Sequence, residues 1–329
     1  MKNKRHTLWL SFLICLAAAL ASLSIGSICL SPADLFNIIA GGQEGTEASI
    51  FWYSRLPRTL GCLAAGAALS VAGAVLQNVL SNQLASPGII GVNAGAGLGV
   101  TICCAAGAIS GWAISGAAFA GSLLTVLVIS LFSRCTHASR TTVILTGVAL
   151  NSILGAASEA VSVLMPEVLM LSTEFRVGGF SGVSYQRLLP ALVLILGALA
   201  ALFTLTNELD LVTLGDETAR GLGLRVQRWR LLFLILAALL AGAAVSFAGL
   251  LGFVGLLVPH FVRRFFGGES KKLLPHCALL GAAFVTVSDL AARFIFLPFE
   301  FPVGILMAIL GGPLFVVLLV RLKGGHRHA

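Results

Sequence analysis

LLPALVLILGALAALFTLT (188–206), NELDLVTLGDETARGLGLRVQRWR (207–230) and LLFLILAALLAGAAVSFA (231–248) follow one another directly, and their contrast decides the architecture. The outer two stretches carry no charged residue. Each approaches the ~20 residues a helix needs to cross ~30 Å of hydrocarbon at ~1.5 Å per residue. The middle stretch concentrates charge, with Asp210, Asp216, Glu217 and four arginines, while leucines recur at 211, 214, 222 and 224. An apolar span, a polar loop and a second span describe a chain that crosses a membrane repeatedly. The loop predicts one or two short helices with an apolar face turned either to lipid headgroups or to a soluble cytoplasmic partner.

The same alternation covers the rest of the chain. Ten segments qualify as spans: 8–30, 58–80, 88–108, 112–133, 141–164, 188–206, 231–248, 252–266, 275–294 and 302–321. Gly249, Gly252 and Gly255 interrupt what is otherwise one apolar stretch between the seventh and the eighth. Composition agrees: 58% of the 329 residues are hydrophobic and 10% charged, against about 25% charged in soluble domains. The expected fold is an all-α, polytopic bundle of about ten transmembrane helices forming one domain, 1–329, with the loop 207–230 inside it. Leu8 to Leu30 exceeds the apolar core of a secretory signal and is read as a retained first helix. Pro32 to Ala40 predicts a short surface helix, and 165–187 a segment folded against the bundle. Gly91, Gly95 and Gly99, four apart, give a face along which membrane helices approach closely.

Charge placement sets the orientation. With the N-terminus inside, Arg55, Arg58, Arg176, Arg187 and Arg293 fall outside and the other sixteen of the 21 basic residues fall inside, the bias that fixes N-in, C-in topology. The net charge of +8 is thereby accounted for by topology, which argues against nucleic-acid binding. Arg55 and Arg58 flank Pro57 on the outer side, where arginines either snorkel to headgroups or form a basic patch that seats an acidic partner. Asp289 and Arg293, one helical turn apart, are placed for a local ion pair that competes with such a role.

Few residues invite chemistry. The seven cysteines include no C-x-x-C pair and lie mostly in apolar runs, as small apolar fillers do. His260 beside Pro259 reads as structural, and His326 and His328 receive no function. No metal site is expected. Glu159, Gln77, Asn78, Asn93 and Asn151 sit in or near spans, where an ionisable group such as Glu159 is costly and is expected to face the bundle interior or an aqueous path. The chain contains no G-x-x-x-x-G-K-[ST] and so cannot hold ATP phosphates by the P-loop mechanism.

Several stretches in order resemble one family, the FecCD-type permeases, which include vitamin B12 and iron-siderophore permeases. They are RLPRTLGCLAAGAALSVAGAVLQNVLSNQLASPGIIGVNAGAG (55–97), LTGVALNS (145–152), GDETARGLGL (215–224), AGLLGFVGLLVPHFVRRFFG (248–267), SDLAAR (288–293) and EFPVGILMAILGGPLFVVLL (300–319). The resemblance implies a type II ABC importer permease of ten helices. Its setting would be a homodimer in a bacterial inner membrane, with ATP used by separate cytoplasmic ATP-binding subunits and cargo delivered by an external substrate-binding protein. No cofactor would be bound by this chain, and it would not be an enzyme itself. Position by position, Arg55, Arg58 and Arg293 resemble the arginines that dock the binding protein. Gly215, Asp216, Ala219, Gly221, Leu222 and Gly223 resemble the segment seated on the ATPase. Asn82 and Leu84, with Thr141 and Thr142, resemble the cytoplasmic gate. The family's Asn-Pro-Leu-Ala reads Asn82-Gln83-Leu84-Ala85 here, and the aromatic before its outer Gly-Ser-Phe-Ser-Gly is blurred in FRVGGFSG (175–182). Iron-siderophore chelates lead the expected cargoes, followed by haem and cobalamin. The rival from another class is an ion-gradient-driven secondary transporter, for which Glu159 alone offers a coupling carboxylate.

Overall fold

Lipid tails are as apolar as leucine, so membrane helices are held by close packing and by satisfied backbone rather than by expulsion of water. The architecture follows from that constraint. The structure, a computed structural model, describes residues 3–26, 30–41, 45–135, 139–295 and 299–324. Regular structure among these is entirely helical. In chain order the helices are α1 (Asn3–Ser24), α2 (Pro32–Ile39), α3 (Thr46–Ile50), α4 (Leu56–Val79), α5 (Val92–Ala105), α6 (Gly111–Cys135), α7 (Arg140–Leu164) and α8 (Pro166–Val177). They continue as α9 (Tyr185–Thr204), α10 (Thr206–Thr213), α11 (Asp216–Gly221), α12 (Val226–Ala248), α13 (Val254–Phe266), α14 (Ser270–Ile295) and α15 (Val303–Gly324). A π turn over Phe51–Arg55 joins α3 to α4.

All ten expected spans carry a helix, and seven of the described helices are long and apolar enough to cross a membrane unaided. The others are α5, α13 and the described part of α15. The expected short surface helix is α2, closed by reciprocal hydrogen bonds between Ser31 and Asp34. The segment 165–187 supplies α8, and the loop 207–230 supplies α10 and α11. His326 and His328 lie outside the described residues.

The axis of the bundle is α4, buried along nearly its whole length among α12, α13 and α14. Its small residues let backbone meet backbone. A methyl carbon added to Gly66 would lie 2.2 Å from the Gly281 carbonyl oxygen, and one on Gly281 would lie 2.4 Å from that of Gly66. Gly73 meets Gly255 on α13 in the same way, at 2.0 Å. The glycine face read in the sequence joins α5 to α6: an added carbon on Gly95 falls 2.4 Å from the Gly121 oxygen, and one on Gly99 2.4 Å from that of Ala117. Gly91 does something else, capping α5 in the left-handed region at φ +87.

At 14 and 13 residues, α5 and α13 are about 20 Å long at ~1.5 Å per residue and traverse only part of a bilayer. Irregular backbone, 80–91 and 249–253, completes each path, which is tolerated in a membrane only where protein buries and satisfies it. Buried amides perform that task. Asn151 Nδ2 donates to the carbonyls of Gly88 and Ile89 at 2.8 and 3.0 Å, and Gln77 Nε2 donates to that of Gly255 at 3.1 Å. The Leu250 N–H donates to the Phe175 carbonyl at 3.0 Å, so α8 covers the second irregular segment.

Replacing Gly66 with valine is expected to lower stability by about 3 kcal/mol, the upper part of the overpacking range, because the opposing atom is backbone and cannot rotate away. Thermal unfolding in detergent, followed by loss of the monodisperse chromatographic peak, measures it. A variant as stable as the parent would contradict the packing described.

Candidate functional site

Charged residues cluster at the two ends of the bundle. At the end bearing the 207–230 loop, α11 opens on Asp216 after Gly215 (φ +103) and closes before Gly223 (φ +84), backbone angles that L side chains adopt only with strain. Ala219 is buried beneath the helix, and Leu222 stands 61% exposed at its end, a leucine presented outward. Asp216 fixes this segment. Its carboxylate accepts from Arg230 Nη2 on α12 at 2.7 and 2.8 Å and from Arg140 Nη2 on α7 at 2.8 Å. Partial burial works to raise the Asp216 pKa, but the hydrogen bonds and charges of Arg230 and Arg140 outweigh it and hold the carboxyl below the usual aspartate range.

Arg140 also reaches two further elements. It donates to the Val212 carbonyl of α10 at 3.0 Å and, through Nη1, to the Ser81 hydroxyl. Ser81 precedes Asn82 in the turn after α4, and Arg140 precedes Thr141 and Thr142 at the start of α7. The residues expected at the coupling segment and at the gate are therefore joined through one guanidinium. Asn82 Oδ1 accepts from the Leu84 N–H at 2.8 Å, and the Asn82 carbonyl accepts from Ala85 at 3.0 Å. These bonds pass over position 83, so glutamine in place of the family's proline leaves the turn intact. Thr142 is held by Ser139, which caps α7, while Thr141 and Leu84 are exposed.

A second polar chain runs inward from the same end. Asp210 of α10 accepts from the Ser270 N–H at 3.0 Å, capping α14. Asn78 donates to the Ser270 hydroxyl at 3.1 Å, Arg263 of α13 donates to Asn78 Oδ1 at 2.9 Å and to Gln77, and Gln77 ends the chain on the Gly255 carbonyl. Asp210, Arg263, Arg140, Arg230 and Ser81 were not distinguished by the sequence from ordinary loop charges and polar turn residues.

At the opposite end the structure corrects the expectation of an exposed basic patch. Arg55 and Arg58 are 5% and 9% exposed, and Asp289 is 1% exposed. Arg58 grips Asp289 with Nε and Nη2, both at 3.0 Å, and reaches Glu300 at 2.8 Å. Arg293 donates to the same carboxylate at 2.9 Å, the ion pair legible in the sequence. Arg55 donates to the Leu23 and Ser24 carbonyls at 2.9 and 3.0 Å, closing the end of α1. A guanidinium at a helix end beside lipid needs an acceptor, and here the chain provides it. Beside this cluster lies a cavity of about 650 Å³ lined by Arg58, Glu174, Arg187, Asp289 and Glu300. Arg176 of α8 turns the other way, donating to Ser158 and Ser162 of α7 at 2.8 and 3.0 Å.

Glu159 is exposed on α7, and His260 packs edge-on to Phe261. Among the described residues no three His, Cys, Asp or Glu side chains are grouped to hold a metal ion.

A helical bundle with interrupted spans and a folded coupling loop has the architecture of a type II ABC importer permease. The FecCD transport family matches residues 14–321, and the chain belongs to it. It is 37% identical to the vitamin B12 import system permease BtuC of Salmonella typhi, over 97% of this chain and 96% of that one, and 37% identical to that of Salmonella newport over the same shares. Its fold matches an inward-facing ABC transporter of metal-chelate type with a TM-score of 0.86 and 29% identity, over 96% of this chain and 99% of that one. PsaBC from Streptococcus pneumoniae shares the fold more loosely, with a TM-score of 0.55 and 15% identity over 86% of this chain and 94% of that one. The protein is thus a multi-pass permease subunit of an ABC importer, a class that works with an ATP-binding subunit and a substrate-binding protein, and in which ATP is hydrolysed by the separate subunit.

Two outcomes follow. Asp289→Ala leaves two buried guanidiniums without their carboxylate and is expected to cost about 3–5 kcal/mol, read as loss of folded protein on extraction; wild-type yield and stability would contradict the cluster. Because the folded Asp216 pKa is depressed, its contribution is present above the unfolded value and lost only as pH falls through the folded one. Hydrogen exchange across 215–223 is therefore expected to show equal protection at pH 5 and pH 7.5 after correction for intrinsic rates, and reduced protection at both in Asp216→Asn. A step between those pH values in the parent would contradict it.

Proposed function

We propose that this chain, as a homodimer with both termini in the cytoplasm, forms the translocation pathway for a metal chelate and that cobalamin is its cargo. The whole-length similarity to vitamin B12 permeases carries this reading. The iron-siderophore expectation rests on family resemblance alone and becomes the second reading, with haem behind it. The secondary-transporter rival loses ground because Glu159 stands alone on its helix, without a coupling partner among the described residues, and because the family is that of ATP-driven importers.

In the proposed cycle, the substrate-binding protein docks at the end holding Arg55, Arg58 and Arg293. Arg58's outward bond to Glu300, whose side chain is 55% exposed, is the one that a carboxylate of the partner takes over. The ATP-binding subunit seats on Gly215, Asp216, Ala219, Gly221, Leu222 and Gly223. Its motion reaches the turn at Asn82 and Leu84 and the start of α7 at Thr141 and Thr142 through Arg140, because one side chain bonds to α10, α11 and Ser81 together. The gate residues move with the loop, and cargo leaves on that side.

Uptake of radiolabelled cobalamin, ferric siderophore and haem into proteoliposomes holding the permease, its ATPase and its binding protein tests the reading. ATP-dependent accumulation of cobalamin alone is expected. Accumulation of a ferric siderophore alone would replace the cargo, and accumulation driven by an ion gradient without ATP would overturn the mechanism.

A further inference from the structure

The three arginines that open α12 are used differently. Arg230 turns inward and is consumed by Asp216. Arg225 and Arg228 are exposed, and among the described residues neither guanidinium has a hydrogen-bond or ion-pair partner. They line a shallow cavity of about 410 Å³ together with Gly223, Trp229 and Leu232. Positions 225, 228, 229 and 232 lie three and four apart and share one face of the helix.

Along that face the chemistry changes in a fixed order. Two free guanidiniums come first, at the end bearing the coupling loop. The half-buried indole of Trp229 comes next, its ring 5.9 Å from that of Phe233, and then the exposed Leu232 within the apolar span. A glycerophospholipid presents the same order: phosphate, glycerol and ester region, acyl chain. Arginine binds phosphate oxygens bidentately, tryptophan favours the interfacial layer, and basic pockets beside membrane helices on the cytoplasmic side take anionic headgroups.

We infer that Arg225 and Arg228, with Trp229 and Leu232, form a binding site for one anionic glycerophospholipid, placed where Gly223 ends the coupling segment. A soluble ATPase domain is the other partner two surface arginines at this end would fit. The aliphatic continuation of the face decides between them, since Leu232 lies a full turn inside the span, at a depth a cytosolic surface does not reach. Occupancy anchors the start of α12 to the membrane surface beside Asp216, so the lipid sets how firmly the coupling segment is held.

The test uses the full chain in bilayers. Trp9→Phe, Trp52→Phe and Trp112→Phe leave Trp229 as the sole indole reporter, and its quenching by brominated phosphatidylglycerol is compared with quenching by brominated phosphatidylcholine. A preference for the anionic lipid of about fivefold per arginine is expected, falling to near one in Arg225→Gln/Arg228→Gln while quenching by the brominated phosphatidylcholine is unchanged. Equal quenching by both lipids in the parent overturns the site and needs no further variant. A preference that survives the double substitution also overturns it. If the parent shows no preference and the double variant instead loses its ATPase on copurification, the arginines belong to the protein contact.

Discussion

Backbone contact between α4 and its neighbours is the constraint on which the rest depends. At Gly66 with Gly281, and at Gly73 with Gly255, the helices are close enough for a single added carbon to collide with a carbonyl oxygen. In lipid this proximity replaces the hydrophobic force that would hold a soluble core. It also creates the dry, walled interior in which irregular backbone survives. The segments 80–91 and 249–253 persist because α4 and α8 enclose them and because Asn151, Gln77 and the Phe175 carbonyl answer their polar groups. Polar side chains within the spans are thus, first of all, servants of the backbone.

The two ends of the bundle then divide the charge between them. At one end a shared carboxylate, Asp289, fastens α4 to α14, and Arg55 and Arg293 bring in the end of α1. Burial makes that cluster rigid. At the other end Asp216 is 34% exposed at its side chain, and its partners lie on different helices, so the same kind of ion pair sits where it can respond to force. A fixed end and a responsive end suit a channel moved by a subunit attached to one side of it.

Length and hydropathy made the spans legible, and 58–80 differs from α4 by only one or two residues at each end. They failed at 88–108, where the helix begins at Val92, because an apolar irregular segment and an apolar helix have the same hydropathy. The pair Asp289–Arg293 was legible because helical periodicity places it within one turn. The burial of Arg55 and Arg58 was not, since the acceptors for Arg58 stand 231 and 242 residues away in the chain. Arg140 is the plainest case. Its partners Ser81 and Asp216 are 59 and 76 residues distant, and a single sequence gives no sign of such pairings, so it read only as one more inward-facing charge.

The central claim is that Arg140 and Asp216 carry motion from the coupling loop to the gate. Spin labels at Leu84 in both protomers of the ATPase complex, read by pulsed dipolar spectroscopy with and without trapped nucleotide, test it most directly. The account predicts a nucleotide-dependent change in the gate distance that is lost in Asp216→Ala while nucleotide still binds. A gate that moves equally in that variant would contradict it.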